Sequence, residues 1–176
     1  MRRKKRRYEQ LIIEKWSESL ESTRTGLRVV EAIRPILQEW LITNNGPMTY
    51  RLTQVLSGHG CFKSYLCSRA RREINEQCSH CSTGDQDTAQ HTLEFCSAWA
   101  LQRYDLTRVI GNNLELPIVV NKMVSEKANW TAMINFCEEI INLKKIAERE
   151  RESDLQAPLC RKHRGGRRRR QFNLLP

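Results

Sequence analysis

The stretch that decides the fold is CSHCSTGDQDTAQHTLEFC, residues 78–96. The side chains of residues 78–90 are small and polar with almost no aliphatic groups, so they cannot build a hydrophobic core alone. The whole stretch carries the pattern C-x2-C-x9-H-x4-C, formed by Cys78, Cys81, His91 and Cys96. Two residues between the first cysteines let both thiolates turn onto one ion, as in tetrahedral zinc sites. The stretch therefore predicts a loop that a metal ion orders.

A Cys3His set fills the four positions of a tetrahedral zinc ion and leaves none for water or substrate. We therefore expect one Zn2+ with a structural role, contributing on the order of 10 kcal/mol to folding. Two alternatives are an accidental CxxC and a redox pair, and the redox pair lacks the strand and helix context typical of such motifs. His80 is the competing ligand and is expected to point outward. Asp87 and Gln90 predict a helix start, with His91 in its first turns.

On both sides of this stretch, apolar residues recur at three- and four-residue steps, which predicts amphipathic helices. A first helix is expected from Tyr8, and a last, long helix is expected to fray into solvent past Ile146. No alternating strand pattern of useful length is present. We therefore predict a mainly α fold: a small helical domain with an embedded Cys3His zinc knuckle and disordered basic termini. The expected organisation is a basic arm (1–7), a helical region (8–76), the zinc knuckle with its following helix (77–111), C-terminal helices (112–152) and a disordered Arg-rich tail (153–176).

The charge is concentrated at the two ends of the 176-residue chain. The net charge is +10, from 30 Lys and Arg against 20 Asp and Glu, and 13 of the basic residues lie at positions 2–7 and 161–170. Neither stretch holds an acidic residue, so residues 8–160 carry a net charge of −3. The sequence thus predicts a nearly neutral body with two basic arms.

Several classes of protein are excluded by these features. No uncharged apolar run approaches the ~18 residues of a membrane helix. The basic start is followed at once by Glu9, Glu14 and Lys15, which is incompatible with a secretory signal. Seven cysteines, an odd number, do not suggest a disulfide framework in an intracellular chain. Of those outside the motif, Cys137 is expected in the core, and Cys61 and Cys67 beside the turn at 57–60.

The basic arms predict attraction to a nucleic acid, RNA or DNA, with weak sequence preference, because clustered guanidinium groups contact phosphates and do not read bases. Each arm is equally readable as a nuclear localisation signal, so we expect a nuclear protein. No membrane partner and no small-molecule substrate is expected. The candidate contacts in the arms are Arg2, Arg3, Lys4, Lys5, Arg6, Arg7, Arg161, Lys162, Arg164, Arg167, Arg168, Arg169 and Arg170.

Further candidate contacts lie in and beside the motif. Arg69, Arg71 and Arg72 precede it and form either a phosphate track or a solvated helix end. Phe95 is a candidate for stacking on unpaired bases. Trp99 and Tyr104 are candidates too, although core packing is the more frequent role for such helical positions.

The motif and its surroundings resemble the C-terminal region of the reverse transcriptases of non-LTR (LINE-like) retrotransposons of insects, in particular the lineage that inserts into ribosomal RNA genes. The resemblance is carried by residues 51–66 (RLTQVLSGHGCFKSYL), the four Cys and His residues, and Ala98 with Trp99. It extends to residues 33–41 (IRPILQEWL), 136–139 (FCEE) and the Arg-Gly-Gly-Arg tail at 164–170, and covers about residues 16–170. The chain departs from the family at residues 25–28 (TGLR), where an aromatic residue is usual.

The resemblance implies a zinc-dependent nucleic-acid-binding appendage of a polymerase, with the four Cys and His residues matching the family's knuckle ligands. The chain has no Asp-Asp pair of the kind a two-metal polymerase needs, and no endonuclease-like acidic set. We therefore expect no enzymatic activity, and a truncated copy, a gene fragment or a domesticated remnant of the longer protein. The alternative hypothesis is a zinc-stapled helical protein-interaction module whose arms serve only as nuclear localisation signals; the slightly acidic body favours it.

Overall fold

The computed structural model of the chain describes residues 2–156, with the side chains of residues 2–6, 8 and 9 outside the description. The described part is mainly helical, and its only β contact is an isolated antiparallel bridge between Gln77 and Gln86. This confirms the predicted fold class. The helices are α1 (Arg2–Glu21), α2 (Leu27–Ile33), α3 (Leu37–Ile42), α4 (Tyr50–Ser57), α5 (Lys63–Ser68), α6 (Ala100–Ile110), α7 (Leu116–Ser125) and α8 (Lys127–Ser153).

Local sequence signals set the ends of several of these helices. The Thr49 side chain accepts a hydrogen bond from the Leu52 amide at the start of α4, and Gly58 ends the same helix with a φ of +72°. Pro35 lies in a 3-10 turn, Arg34–Ile36, that separates α2 from α3. Gly111, with a φ of +99°, ends α6. These helix ends therefore coincide with capping, glycine and proline residues in the sequence.

The long helix α8 forms the centre of the fold, and α4, α6 and α7 pack against it. Its buried face repeats at helical spacing, and α7 contributes a second fully buried row to one continuous core. Each buried aliphatic or aromatic side chain stabilises the fold by about 1.5–3 kcal/mol relative to exposure. The buried residues of these two helices include Val119, Val120, Met123, Trp130, Met133, Phe136, Cys137, Ile140 and Ile141.

The turn at residues 43–47 is fixed to the start of α8. The Asn45 side chain donates to the carbonyl oxygens of Met123 and Val124 at 2.9 and 2.8 Å. The Trp130 indole donates to the Pro47 carbonyl at 3.2 Å. A Cβ on Gly46 would lie 2.3 Å from Trp130 Cδ1, so only glycine allows this close approach. The turn therefore fastens α3 to the α7–α8 corner.

The structure corrects two expectations about the ends of the chain, and a third concerns residues that the structure does not describe. α1 begins at Arg2, so residues 2–7 extend the helix that was expected to start at Tyr8. The prediction that α8 frays past Ile146 was wrong: the helix continues to Ser153, Glu148 is buried, and Arg72 pairs with Glu152 at 2.9 Å. Residues 157–176, which include Cys160, lie outside the described residues, and with them the predictions for the tail residues Arg161, Lys162, Arg164, Arg167, Arg168, Arg169 and Arg170.

None of the helices in residues 2–156 combines the length and the apolar character that crossing a bilayer requires.

Candidate metal centre

The four residues of the motif converge at one point. One ligand atom from each of Cys78, Cys81, His91 and Cys96 lies within 4.8 Å of the other three. The Sγ atoms of Cys78 and Cys96 are 3.8 Å apart, and Cys81 Sγ is 3.3 Å from His91 Nε2. A tetrahedral ion with metal–sulfur bonds of about 2.3 Å and a metal–nitrogen bond of about 2.0 Å places such atoms about 3.8 and 3.5 Å apart. The set therefore fits one metal ion.

The CxxC half of the centre is built by a short loop whose two ends pair. The Cys78 amide donates to the Asp85 carbonyl at 2.7 Å, next to the bridge between Gln77 and Gln86. Gly84 turns the loop with a φ of +78°. The His80 amide points back at Cys78 Sγ at 3.5 Å. The backbone therefore holds both thiols of the CxxC pair on the inner side of the loop.

The other half depends on a π-helical turn, His91–Phe95. Residues five apart point in different directions in an α-helix, whereas a π turn brings them onto one side. The Cys96 amide donates to the His91 carbonyl at 2.8 Å, which closes this wider turn. Arg103 of α6 donates to the carbonyls of Leu93 and Cys96 at 3.0 and 2.6 Å, so the helix end is held by a guanidinium group.

Thr88, and not Asp87, caps this turn. The Thr88 hydroxyl accepts from the His91 amide at 2.9 Å, and the Thr88 carbonyl accepts from the Thr92 amide at 3.1 Å. The predicted helix start at Asp87 and Gln90 is thus one residue too early. The reason is that the Asp87 carboxylate is occupied elsewhere in the core.

Asp87 forms a buried ion pair with Lys144 of α8. Its Oδ1 lies 2.5 Å from Lys144 Nζ, and the two side chains are 1% and 0% exposed. Its Oδ2 accepts from the Lys63 amide at 3.1 Å. The Lys144 ammonium also lies 5.3 Å from the centre of the Phe62 ring and 5.8 Å from that of Trp99, within cation–π range. The metal loop is therefore anchored to the central helix by a buried charge pair.

The thiols differ in their acidity. Burial raises the pKa of Cys78, and it raises the pKa of Cys96 to about 12. A hydrogen bond with the Thr83 side chain, at 3.2 Å, lowers the pKa of Cys81 to about 6. Two of the three thiols therefore keep their protons at neutral pH unless a cation stabilises the thiolates. A metal ion held by the four residues would supply this positive charge.

Asp85 lies on the side of the histidine ring that faces away from the thiols. His91 Nε2 faces the thiols, and its Nδ1 lies 3.7 Å from Asp85 Oδ2. A carboxylate on the far side of a ligating imidazole orients the ring and selects the tautomer. Sequence reasoning placed Asp85 inside the loop without a role. The acidic residue six positions before the histidine was the available signal.

The remaining cysteines and His80 do not join the centre. Cys137 is fully buried in the core, as expected, and burial raises the pKa of its thiol. Cys61 is buried beside the turn at 57–60, and Cys67 is partly buried. His80 does not point outward as predicted: its ring packs 5.0 Å from Trp99, and burial lowers its pKa to about 4.

The candidate nucleic-acid contacts within the described residues differ in how exposed their side chains are. Arg7, Arg69, Arg71 and Phe95 are exposed, and Phe95 retains 63% of its surface. Arg72 is partly buried in its pair with Glu152. Trp99 is buried, as the core alternative predicted, whereas the same alternative was wrong for Tyr104, which is 61% exposed. Arg2, Arg3, Lys4, Lys5 and Arg6 lie in the first turns of α1.

Comparisons of the chain with protein-family models, with curated proteins and with solved structures found no match.

Proposed function

We propose that the chain is a zinc-dependent nucleic-acid-binding protein, corresponding to the C-terminal part of a retrotransposon reverse transcriptase, that binds an RNA template or target DNA without a polymerase site of its own. The observation that carries the proposal is the closed Cys3His cluster joined to a helical body and accompanied by two basic arms. Zn2+ is the ion expected there, since three sulfurs and one imidazole nitrogen at these spacings suit it best.

The metal would cross-link two segments of the chain. Bound zinc supplies the positive charge that stabilises three thiolates and links residues 78–81 to residues 91–96. The chain's own groups hold this arrangement: Asp85 orients the His91 ring, Arg103 fixes the end of the π turn, and the Asp87–Lys144 pair joins the loop to α8. The resulting rigid loop is a platform beside which nucleic acid binds.

The proposal is tested by measuring the binding of the full chain to fluorescent single-stranded RNA and DNA from 50 to 200 mM salt. With about six to ten phosphate contacts, affinity should fall by ~10³ to 10⁵ over this range. The matched variant replaces the basic residues of positions 2–7 and 161–170 with glutamine in the full chain. Binding that is absent, or that does not depend on salt, would refute the proposal.

The second candidate is a helical protein-interaction module with a zinc staple, and one observation favours it. Phe95, Leu101 and Tyr104 expose 63%, 71% and 61% of their surfaces on and beside α6. Exposed apolar side chains of this size are frequent in protein interfaces. The glutamine-substituted chain shows what the body does: residual binding to nucleic acid favours the platform, whereas complete loss assigns nucleic-acid binding to the arms and leaves the body as a scaffold.

A further inference from the structure

A cleft opens between α4, the loop and helix that follow it, and the C-terminal half of α8. Its volume is about 810 Å3, within the ~300–1,000 Å3 range of ligand sites. It lies in the acidic body, away from both basic arms in sequence, and none of the roles assigned to the metal centre involves it. Its walls nevertheless combine aromatic rings with cations. The residues that matter here are Tyr50, His59, Tyr65, Arg72, Lys145 and Arg149.

The aromatic groups that line the cleft are Tyr50, His59 and Tyr65. Tyr50 keeps 72% of its surface exposed at the start of α4. The rings of His59 and Tyr65 lie 4.7 Å apart, with 48° between their planes. Gly60 holds the loop that carries His59, because a Cβ at this position would lie 2.1 Å from the Gln54 amide nitrogen. Rings fixed in this way are surfaces on which unpaired bases stack with little sequence preference.

The cations stand beside these rings. Lys145 Nζ lies 5.3 Å from the centre of the Tyr50 ring. Arg149 follows one helical turn later on α8 and has no ion pair among the described residues. Arg72 is paired with Glu152, and the wall also holds Glu148, which is 91% buried. Lys145 and Arg149 are therefore the two cations of the cleft available to a phosphate.

The sequence neighbours of the cleft extend its positive edge. Ala70 and Arg72 line it, and Arg69 and Arg71 beside them are exposed. Arg71 adopts a φ of +51°, an uncommon conformation for a residue with a side chain. These are the arginines that the sequence predicted as a phosphate track; of the three, Arg72 lines the cleft and Arg69 and Arg71 are its neighbours in sequence.

We propose that this cleft binds a single-stranded segment of nucleic acid, with bases stacked on Tyr50 and Tyr65 and phosphates held by Lys145 and Arg149. The inference rests on the proposed function and names the part of the body that performs it. Alternating flat rings and cations match the alternation of bases and phosphates along a strand. An acidic peptide would use the cations and leave the exposed rings without a role, so nucleic acid fits the cleft better.

The test uses variants of the full chain and a short fluorescent single-stranded oligonucleotide. Lys145→Gln with Arg149→Gln removes two phosphate contacts, so the slope of log affinity against log salt should flatten by about 1.4. The matched control, Lys122→Gln with Lys127→Gln, removes the same charge at exposed positions, with Lys127 about 27 Å from Lys145 along α8, and should leave the slope unchanged. A control that flattens the slope equally would overturn the inference.

The aromatic contribution is tested separately. Tyr50→Leu should weaken binding about 5- to 100-fold, Tyr50→Phe should preserve it, and Trp16→Leu is the exposed aromatic control. Repeating the series in the glutamine-substituted chain removes the contribution of the arms. If the unsubstituted chain binds no oligonucleotide, the proposed function fails. If it binds and the cleft variants are unchanged, only this inference fails. A labelled poly-glutamate peptide whose binding needs Lys145 and Arg149 but not Tyr50 would overturn it in favour of a peptide site.

Discussion

Replacing Lys144 with methionine should destabilise the fold strongly, because the change leaves the Asp87 carboxylate buried without its cation. At 2.5 Å and an effective dielectric constant of about 20, the attraction between the two charges is about 7 kcal/mol before desolvation is subtracted. Breaking a buried pair of this kind lowers the free energy of unfolding by about 3–5 kcal/mol. Methionine keeps the length of the side chain, so little of the loss comes from a cavity.

The double variant Lys144→Met with Asp87→Asn tests whether the uncompensated charge of Asp87 causes the loss of stability. Asparagine removes the uncompensated charge but keeps an oxygen that accepts from the Lys63 amide, which Asp87 Oδ2 does at 3.1 Å. The double variant should therefore be more stable than Lys144→Met alone. By contrast, Asp87→Ala removes both the charge and the acceptor, and should cost about 1–3 kcal/mol more than Asp87→Asn.

The assay is urea unfolding of the zinc-loaded protein, followed by circular dichroism. Lys145→Met is the matched control, since the neighbouring lysine is partly exposed and its loss should change stability by about 0.5 kcal/mol or less. Additive losses in the double variant would show that the two charges do not interact, and a loss at Lys144 no larger than at Lys145 would refute the anchoring of the metal loop to α8.

Three further predictions concern the loop and its neighbours. Asp85→Asn should weaken zinc affinity by about tenfold through the loss of support for the histidine, measured by chelator competition, with Asp105→Asn as an unaffected control. Gly60→Ala should lower the free energy of unfolding by about 1–3 kcal/mol more than Gly26→Ala, because both positions have positive φ but only Gly60 lies against a neighbouring side chain; equal thermal shifts would contradict this. Zinc affinity should rise from pH 7 to pH 8, since burial raises the pKa of Cys96 to about 12 and its proton must leave before the metal binds; a flat profile by calorimetry would contradict this.

The sequence predicted those features of the fold that depend on short-range signals. Helical periodicity predicted the mainly helical fold, and the Cys and His spacing predicted which four residues meet. These signals are local because backbone hydrogen bonds and tetrahedral ligand geometry act over a few residues.

Features that depend on tertiary contacts were not predictable in this way. The sequence predicted that the Asp87 carboxylate caps a helix, because its true partner, Lys144, lies 57 residues away along the chain and no local signal indicates the pair. The charged end of α8 was predicted to fray into solvent. In the structure Glu148 is buried, and Glu152 accepts a hydrogen bond from Arg72, which lies 80 residues earlier in the chain. The π turn has no sequence signature of its own, and the four-residue gap between His91 and Cys96 gains meaning only when both must reach one ion.

The measurement that tests the central claim most directly is zinc analysis of the purified full chain, combined with X-ray absorption at the zinc edge. The structure predicts one zinc per chain, with three sulfur neighbours at about 2.3 Å and one nitrogen at about 2.0 Å. Cys78→Ser or His91→Ala should remove the metal and the cooperative unfolding transition together. A folded, cooperatively unfolding chain that contains no metal, or an ion bound equally well by both variants, would contradict the Cys3His centre.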